Sequence, residues 1–114
     1  MRRRRLGPAT MDVLQAIAAG HRYGFDIMEH ADLPGGTVYP ALATLERDGL
    51  VRASWENPRV ARAEKRPPRR YYVIAHQGEM TLRRERDRLK SLDSLVDSAA
   101  PRRRAARNPE PRKA

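Results

Sequence analysis

Gly36-Thr37-Val38-Tyr39-Pro40-Ala41-Leu42-Ala43-Thr44-Leu45-Glu46-Arg47-Asp48-Gly49-Leu50-Val51 is the stretch that decides how this chain is read. Val38, Ala41, Leu42 and Leu45 recur at i, i+3, i+4 and i+7, the spacing of one helical face. Pro40, Ala43, Thr44 and Arg47 recur at the same spacing on the opposite side, so one face is built for a core and the other is left free. Thr37 is expected to cap this helix, which would put Pro40 in the first turn, where a missing N–H has no intrahelical partner. Gly49 offers the left-handed residue that ends a helix, and Arg47 places a cation in the last turn.

Two helices are expected upstream. The first has Thr10 as its cap, Asp12 near the positive N-terminus, and Val13, Leu14, Ile17 and Ala18 on one face, with Gly20 as the stop. The second runs from about Tyr23 to Ala31, with Gly24, Ile27, Met28 and Ala31 on one side, and Asp32-Leu33-Pro34-Gly35-Gly36 turns the chain after it. Downstream the period changes to that of a strand over Leu50 to Glu56, which puts Val51, Ala53 and Trp55 on one side and makes Trp55 a core residue. Tyr71-Tyr72-Val73-Ile74 reads as a second strand, with Arg70 and Tyr72 on one side, Tyr71 and Val73 on the other, and one tyrosine in the core. The basic stretch between them contains Pro58, Pro67 and Pro68 and reads as an irregular hairpin loop. From Ala75 to about Ala100 helix formers dominate, and Leu82, Leu89, Leu92 and Val96 approximate a coiled-coil seam with Glu85 interrupting it.

At 114 residues the chain has room for one core, and with 39% apolar residues against the usual ~45–50% that core is small. The net charge of +10 directs attention to a polyanionic partner. Its distribution is more informative. Arg2 to Arg5 and the segment 101–114 together hold +9, the stretch from Asn57 to Arg70 holds +5, and the rest of the middle is net −4. The expected organisation is a flexible basic arm (1–5), a folded domain (6–74), a dimerisation helix (75–100) and a basic tail (101–114) disordered in isolation.

The order helix, helix, helix, strand, basic loop, strand is that of a winged helix-turn-helix. The expected fold class is therefore mainly α with a small β-hairpin, followed by the long C-terminal dimerisation helix. In such a fold two helices hold a third across the major groove of double-stranded DNA, about 12 Å wide, while the hairpin loop lies along the neighbouring backbone. The third helix then needs small or polar groups outward and the loop needs cations. Ala43 and Thr44 allow close approach, Arg47 can reach a phosphate or a guanine, and Thr37 brings a hydroxyl at a helix N-terminus. Tyr39 and Pro40 flank that face, Lys65, Arg66, Arg69 and Arg70 supply the loop's cations, and Tyr23 is a further candidate for a backbone phosphate.

Three segments resemble a known family. Gly20-His21-Arg22-Tyr23-Gly24-Phe25-Asp26-Ile27 is similar to the G-x-x-(H/Y)-G-Y-x-I segment of PadR-type transcriptional regulators. Gly36-Thr37-Val38-Tyr39-Pro40-Ala41-Leu42, followed by Leu45-Glu46 and Gly49-Leu50-Val51, is similar to their GTLYPAL…LE…GLI recognition segment. Arg69-Arg70-Tyr71-Tyr72-Val73 resembles their wing and second strand. The likeness spans roughly Met11 to Thr81, and it departs from the family in a short connection before Gly36, in Arg66-Pro67-Pro68 where Gly-Arg-Pro is usual, and in Ala75-His76 where a Thr-Glu pair is common. The resemblance implies a homodimer joined through the last helix, with two recognition helices about one DNA turn apart, ~34 Å, on a pseudo-palindromic operator that the dimer represses.

Other classes find little support. The chain has no cysteine, and His21, His30 and His76 show no i, i+4 pairing or close carboxylate set, so no metal and no cofactor are expected. Asp26 with Glu29, or Glu46 with Asp48, has no pocket gathered around it, so no catalytic residue is assigned and the chain is not expected to be an enzyme. The Arg-rich start is followed by Leu6-Gly7-Pro8 and not by an apolar run, so a cytoplasmic location without a membrane partner is expected. The competing reading is a non-specific nucleic-acid-binding or protein-interaction module that works through the Arg-rich ends.

Overall fold

Six of the chain's first eight residues are polar, small or proline, and the first helix begins only where Pro8 presets the helical φ. In the structure, a computed structural model that describes residues 5–99, that helix is α1 (Pro8–Ala18). It is followed by α2 (Gly24–Ala31), α3 (Gly35–Arg47), β1 (Val51–Trp55), α4 (Pro58–Ala63), β2 (Arg70–Ile74) and α5 (His76–Ala99). Residues 1–4 and 100–114, which carry most of the expected arm, the last residue of the expected helix and the whole expected tail, lie outside the described residues. The chain divides into one compact unit through Leu82 and a second from Arg83. Three helices, a two-stranded antiparallel hairpin and a long C-terminal helix make a winged helix-turn-helix, as the sequence order implies.

The core of the first unit is one apolar cluster. Val13, Leu14, Ala16 and Ile17 of α1 meet Ile27 of α2, Val38, Ala41, Leu42 and Leu45 of α3, and Leu50, Val51 and Tyr72. Each fully buried Leu, Ile or Val contributes about 1.5–3 kcal/mol of transfer free energy, so this cluster outweighs the local defects described next. Ala16 takes the buried place expected for Ala18, which is exposed. Starting α1 at Pro8 moves Thr10 inside the helix, so it is not the cap expected from sequence, and puts Asp12 beyond the first turn, while Gly7 occupies the N-cap without a side-chain bond.

Helix α3 departs from expectation at its start. Pro34 is the N-cap, its carbonyl accepting from Thr37 N at 2.9 Å and Val38 N at 3.0 Å, so Thr37 is the third helical residue and not the cap. Pro40 consequently lies in the second turn and forfeits the bond it would have made to the Gly36 carbonyl. Gly36 is exposed, so that carbonyl faces water. The opposite end closes as expected: Gly49 is left-handed (φ 78°), Gly49 N donates to Glu46 O at 3.1 Å and Leu50 N to Leu45 O at 2.9 Å. These two bonds form a Schellman motif, and the buried Leu45 and Leu50 provide its hydrophobic contact.

The strands pair Val51 with Ile74, Ala53 with Tyr72 and Trp55 with Arg70. Tyr72 is the core tyrosine, and burial pushes its phenol above the usual value. Tyr23 bridges to Tyr71 and Arg22 O accepts from Tyr72 N at 2.7 Å, so residues 22–23 extend the hairpin by a strand-like edge. Trp55 is not core: it is 65% exposed. Strand alternation gives it the same side as Val51, but the core ends at Ala53 and Tyr72, the preceding pair on that face.

The segment between the strands is not an irregular loop throughout. Asn57 Oδ1 accepts from Arg59 N at 2.9 Å, Pro58 occupies the first turn, and Ala61 is buried, so residues 58–63 form a short helix. Lys65, left-handed at φ 58°, ends it, with Lys65 N donating to Arg62 O and Arg66 N to Ala61 O. The chain is then pinned by the buried Glu56. Arg66 Nη1 and Nη2 donate to its two carboxylate oxygens at 2.7 and 2.8 Å, Arg69 N donates at 3.1 Å and Tyr71 OH at 3.4 Å. The Arg66 bonds are the main cause that holds the Glu56 carboxyl at about 2, against 4.5 for a free one, with Arg69 adding to it and burial opposing.

Helix α5 starts against the same core. Ala75 N donates to Leu50 O at 2.9 Å, and Gly78 packs so closely that a Cβ there would collide with the Leu50 carbonyl and lie 2.8 Å from Ile74. Leu82 is partly buried against the core, so the first turns of α5 belong to the first unit.

Two outcomes are expected. Gly78→Ala gains about 1 kcal/mol of helix propensity. It loses about 1–3 kcal/mol to overpacking, so its denaturant midpoint should fall; a raised midpoint would show that α5 moves freely off Leu50. For Glu56 the folded value lies below the unfolded one, so its contribution is complete above pH 4.5 and is lost as pH falls towards about 2. Urea titrations of Glu56→Gln and the parent chain should differ most at pH 7 and converge across that interval.

Candidate nucleic-acid interface

Burial of Val38, Ala41, Leu42 and Leu45 fixes the rotation of α3 and thereby decides what it presents outward. Tyr39, Pro40, Ala43 and Arg47 are exposed, and Thr37 and Thr44 are half-buried. Arg47 is the most available, with its side chain 71% exposed and a loose local bond from Nε to Asp48 Oδ1 at 3.1 Å. Ala43 and Thr44 beside it leave room for another surface to approach the helix.

Tyr39 has two duties. Its ring lies over Gly24 and Gly35, and a Cβ at position 24 would fall 2.7 Å from two of its ring carbons. A side chain at position 24 would therefore push the Tyr39 ring away from α2. The residue is nevertheless 53% exposed, so its outer edge stays available.

The wing's cations are not equivalent. Lys65 is exposed at the turn after α4, and Arg59 and Arg62 are exposed on that helix, which the sequence reading passed over because it treated the segment as a loop. Arg66 is turned inward, 20% exposed and bound to both Glu56 and Glu64, and those bonds raise its pKa further above the ordinary arginine value. It braces the wing and offers little charge to a partner. Arg69 lies 4.0 Å from the centre of the Tyr23 ring, and Arg22 lies 5.1 Å from that of Tyr71. These cation–π contacts, with the edge-on Tyr23–Tyr71 pair, join the start of α2 to the wing strand. Arg70 Nη2 donates to Glu46 Oε2 at 2.9 Å and its guanidinium sits 5.1 Å from the Trp55 ring centre. This bond links the last turn of α3 to β2, so the outer helix face and the wing lie on one side of the first unit.

The expected seam residues are divided. Leu82 packs on the core, whereas Leu89, Leu92 and Val96 are exposed on the second unit together with Leu95, which the seam register omitted. Glu85 pairs with Arg88 at 2.9 Å, and that bond raises the Arg88 pKa. Among the described residues no group of three His, Cys, Asp or Glu is arranged to hold a metal ion. His21 Nδ1 instead lies 3.1 Å from Asp26 Oδ2, and the His21 ring stacks on His30. No described helix is long and apolar enough to cross a membrane.

No curated protein matches the chain in sequence. Solved structures do match in fold. A PadR family transcription regulator from hypervirulent Clostridium difficile superposes with a TM-score of 0.69 at 18% identity, over 81% of this chain and 97% of the other. A Streptococcus mutans protein gives 0.64 at 20% identity over 83% and 88%. A transcriptional regulator from Thermotoga maritima gives 0.61 at 20% identity over 88% and 66%. At these identities the likeness speaks for the winged-helix fold alone. The sequence profile described as "Transcriptional regulator PadR-like family" matches residues 13–84, which takes in the second half of α1, α2, α3, the whole wing and the start of α5, and so the chain belongs to the PadR-like family of DNA-binding transcriptional regulators.

Proposed function

We propose that the chain is a homodimeric, sequence-specific repressor that acts in the cytoplasm on a pseudo-palindromic operator. The observation that carries this reading is the junction at Leu50, whose N–H closes α3 on Leu45 O at 2.9 Å and whose carbonyl accepts from Ala75 N at 2.9 Å, which sets the outer face of α3 beside the basic wing. A helix held in that way can enter a major groove while the wing follows the adjacent backbone. Arg47, Thr44, Ala43 and Thr37 face the groove, with Tyr39 and Pro40 at its edge. Lys65, Arg69 and Arg70, supported by Tyr23, attract phosphate. Arg66 holds the wing's shape.

The dimer contact assigned to this function is the exposed stripe Leu89, Leu92, Leu95 and Val96. Its surroundings are polarised, because Arg83, Arg84, Arg86, Arg88 and Lys90 outnumber Glu85 and Asp87 towards one end, while Asp93 and Asp97 are the charged residues towards the other. An antiparallel second copy would set unlike charges against each other along the seam. Two recognition helices would then address half-sites about one helical turn apart, ~34 Å.

Binding-site selection with the full chain should recover a two-fold symmetric sequence that is preferred over scrambled DNA at ~150 mM salt. A set of recovered duplexes with no common sequence would favour the non-specific module that works through the Arg-rich ends. On the selected site, Arg47→Ala should cost about 1–3 kcal/mol and relax the preference at one base position if Arg47 reads a base. A uniform loss on all duplexes would place it on phosphate. Sedimentation of the Leu89→Asp, Leu92→Asp double variant should give a monomer, and a persistent dimer would remove the stripe from the contact.

A further inference from the structure

The arginines around the recognition helix are occupied by the chain's own carboxylates, and they differ in how firmly. Arg66 is enclosed by Glu56 and Glu64, and Arg47 meets only its neighbour Asp48 on an open surface. Arg70 is intermediate: half-buried, seated over Trp55, and bound to Glu46 from another element at 2.9 Å. Glu46 itself stands in the last turn of α3, where the helix dipole disfavours an anion, so its place is not explained by helix stability. Beside it Trp55 is exposed although the register gives it the core-facing side of β1. A carboxylate, an arginine and an uncovered indole thus meet at the junction of helix and wing.

Resting on the DNA-binding reading above, we infer that Glu46 is an internal competitor for phosphate at Arg70. In the free chain its carboxylate holds the guanidinium where a backbone phosphate would sit. When the helix enters the groove, a phosphate replaces Glu46 on Arg70, and Trp55 is covered by the same stretch of backbone while its ring keeps the guanidinium in place. Arg70 is thereby presented already oriented, and the displaced carboxylate lowers affinity for every duplex alike. Glu46 therefore limits binding strength without choosing sequence, and Trp55 joins the interface as a contact residue.

The chain contains a single tryptophan, so its emission reports this junction alone. Full-length parent, Glu46→Gln and Glu46→Gln/Arg70→Gln proteins are titrated with two labelled duplexes, one of mixed sequence and one recovered by selection, following anisotropy and tryptophan emission together. Glu46→Gln should bind both duplexes tighter by a similar factor, about two- to fivefold at low salt, the range of one partly exposed ion pair. The double variant should lose that gain. Parent emission should change in step with anisotropy as the junction is covered. Weaker binding by Glu46→Gln would make the ion pair a brace that binding needs, and a loss confined to the selected duplex would make Glu46 a base reader; either result overturns the competitor role. Emission that stays constant while anisotropy reports binding would remove Trp55 from the interface. If the parent binds neither duplex, the DNA-binding reading itself fails and the competitor role with it.

Discussion

The backbone of Leu50 is the point on which the other elements depend. Its N–H closes α3 through Leu45 O, its carbonyl accepts from Ala75 N where α5 begins, and its side chain lies in the core beside Val51. One residue thus fixes where α3 stops, where the wing's first strand starts and where the last helix departs. Gly49 must be left-handed for the chain to reach that position, and Gly78 must lack a Cβ for α5 to lie against that carbonyl. A shift of Leu50 would disturb all three elements together, and the side-by-side placement of helix and wing with them.

The parts of this arrangement that follow from periodicity were readable in the sequence. The face of α3 set by Val38, Ala41, Leu42 and Leu45, the Gly49 stop, the paired strands and a buried tyrosine all reflect repeats that a core enforces over several residues. The parts that depend on one local bond or on the limit of the core were not. Thr37 has the right chemistry for a cap, but the carbonyl of Pro34 comes first, and Gly35 and Gly36 join the helix ahead of it, with the Tyr39 ring packed on Gly24 and Gly35. Asn57-Pro58 is itself a helix-start signal, hidden by the prolines and arginines that follow it. Alternation correctly gives Trp55 its side of the strand but cannot say that the core stops at the preceding pair on that face.

The candidate site shows the same division. Residue type marks Arg66, Arg69 and Arg70 as one set of cations, whereas partners separate them into a brace, a ring-stacked link and a bridge to α3. Pairing distances decide this, and they connect residues as far apart as Glu46 and Arg70, beyond the reach of a local sequence pattern. Arg47 was legible because its partner, Asp48, is its neighbour and its exposure follows from the helix face. The exposed stripe on α5 was visible in outline, although the i, i+3, i+7 register omitted Leu95.

Internal pairing also changes what the net charge of +10 means for DNA affinity. An arginine held by a carboxylate attracts a distant polyanion less than a free one, because at separations beyond about 8–10 Å the pair is nearly neutral and salt screens the remainder. Long-range attraction therefore rests on unpaired cations such as Lys65 on the wing, and on the Arg-rich residues at the two ends of the sequence. On the inference drawn above, a paired arginine such as Arg70 acts only at contact, where a phosphate must compete with a carboxylate already in place. Such a protein can be drawn to any DNA and yet hold it weakly until the outer face of α3 meets a sequence that adds its own contacts. Separating attraction from grip in this way is what a short recognition helix needs, since a few uncharged groups must decide the outcome against a large, sequence-independent electrostatic background.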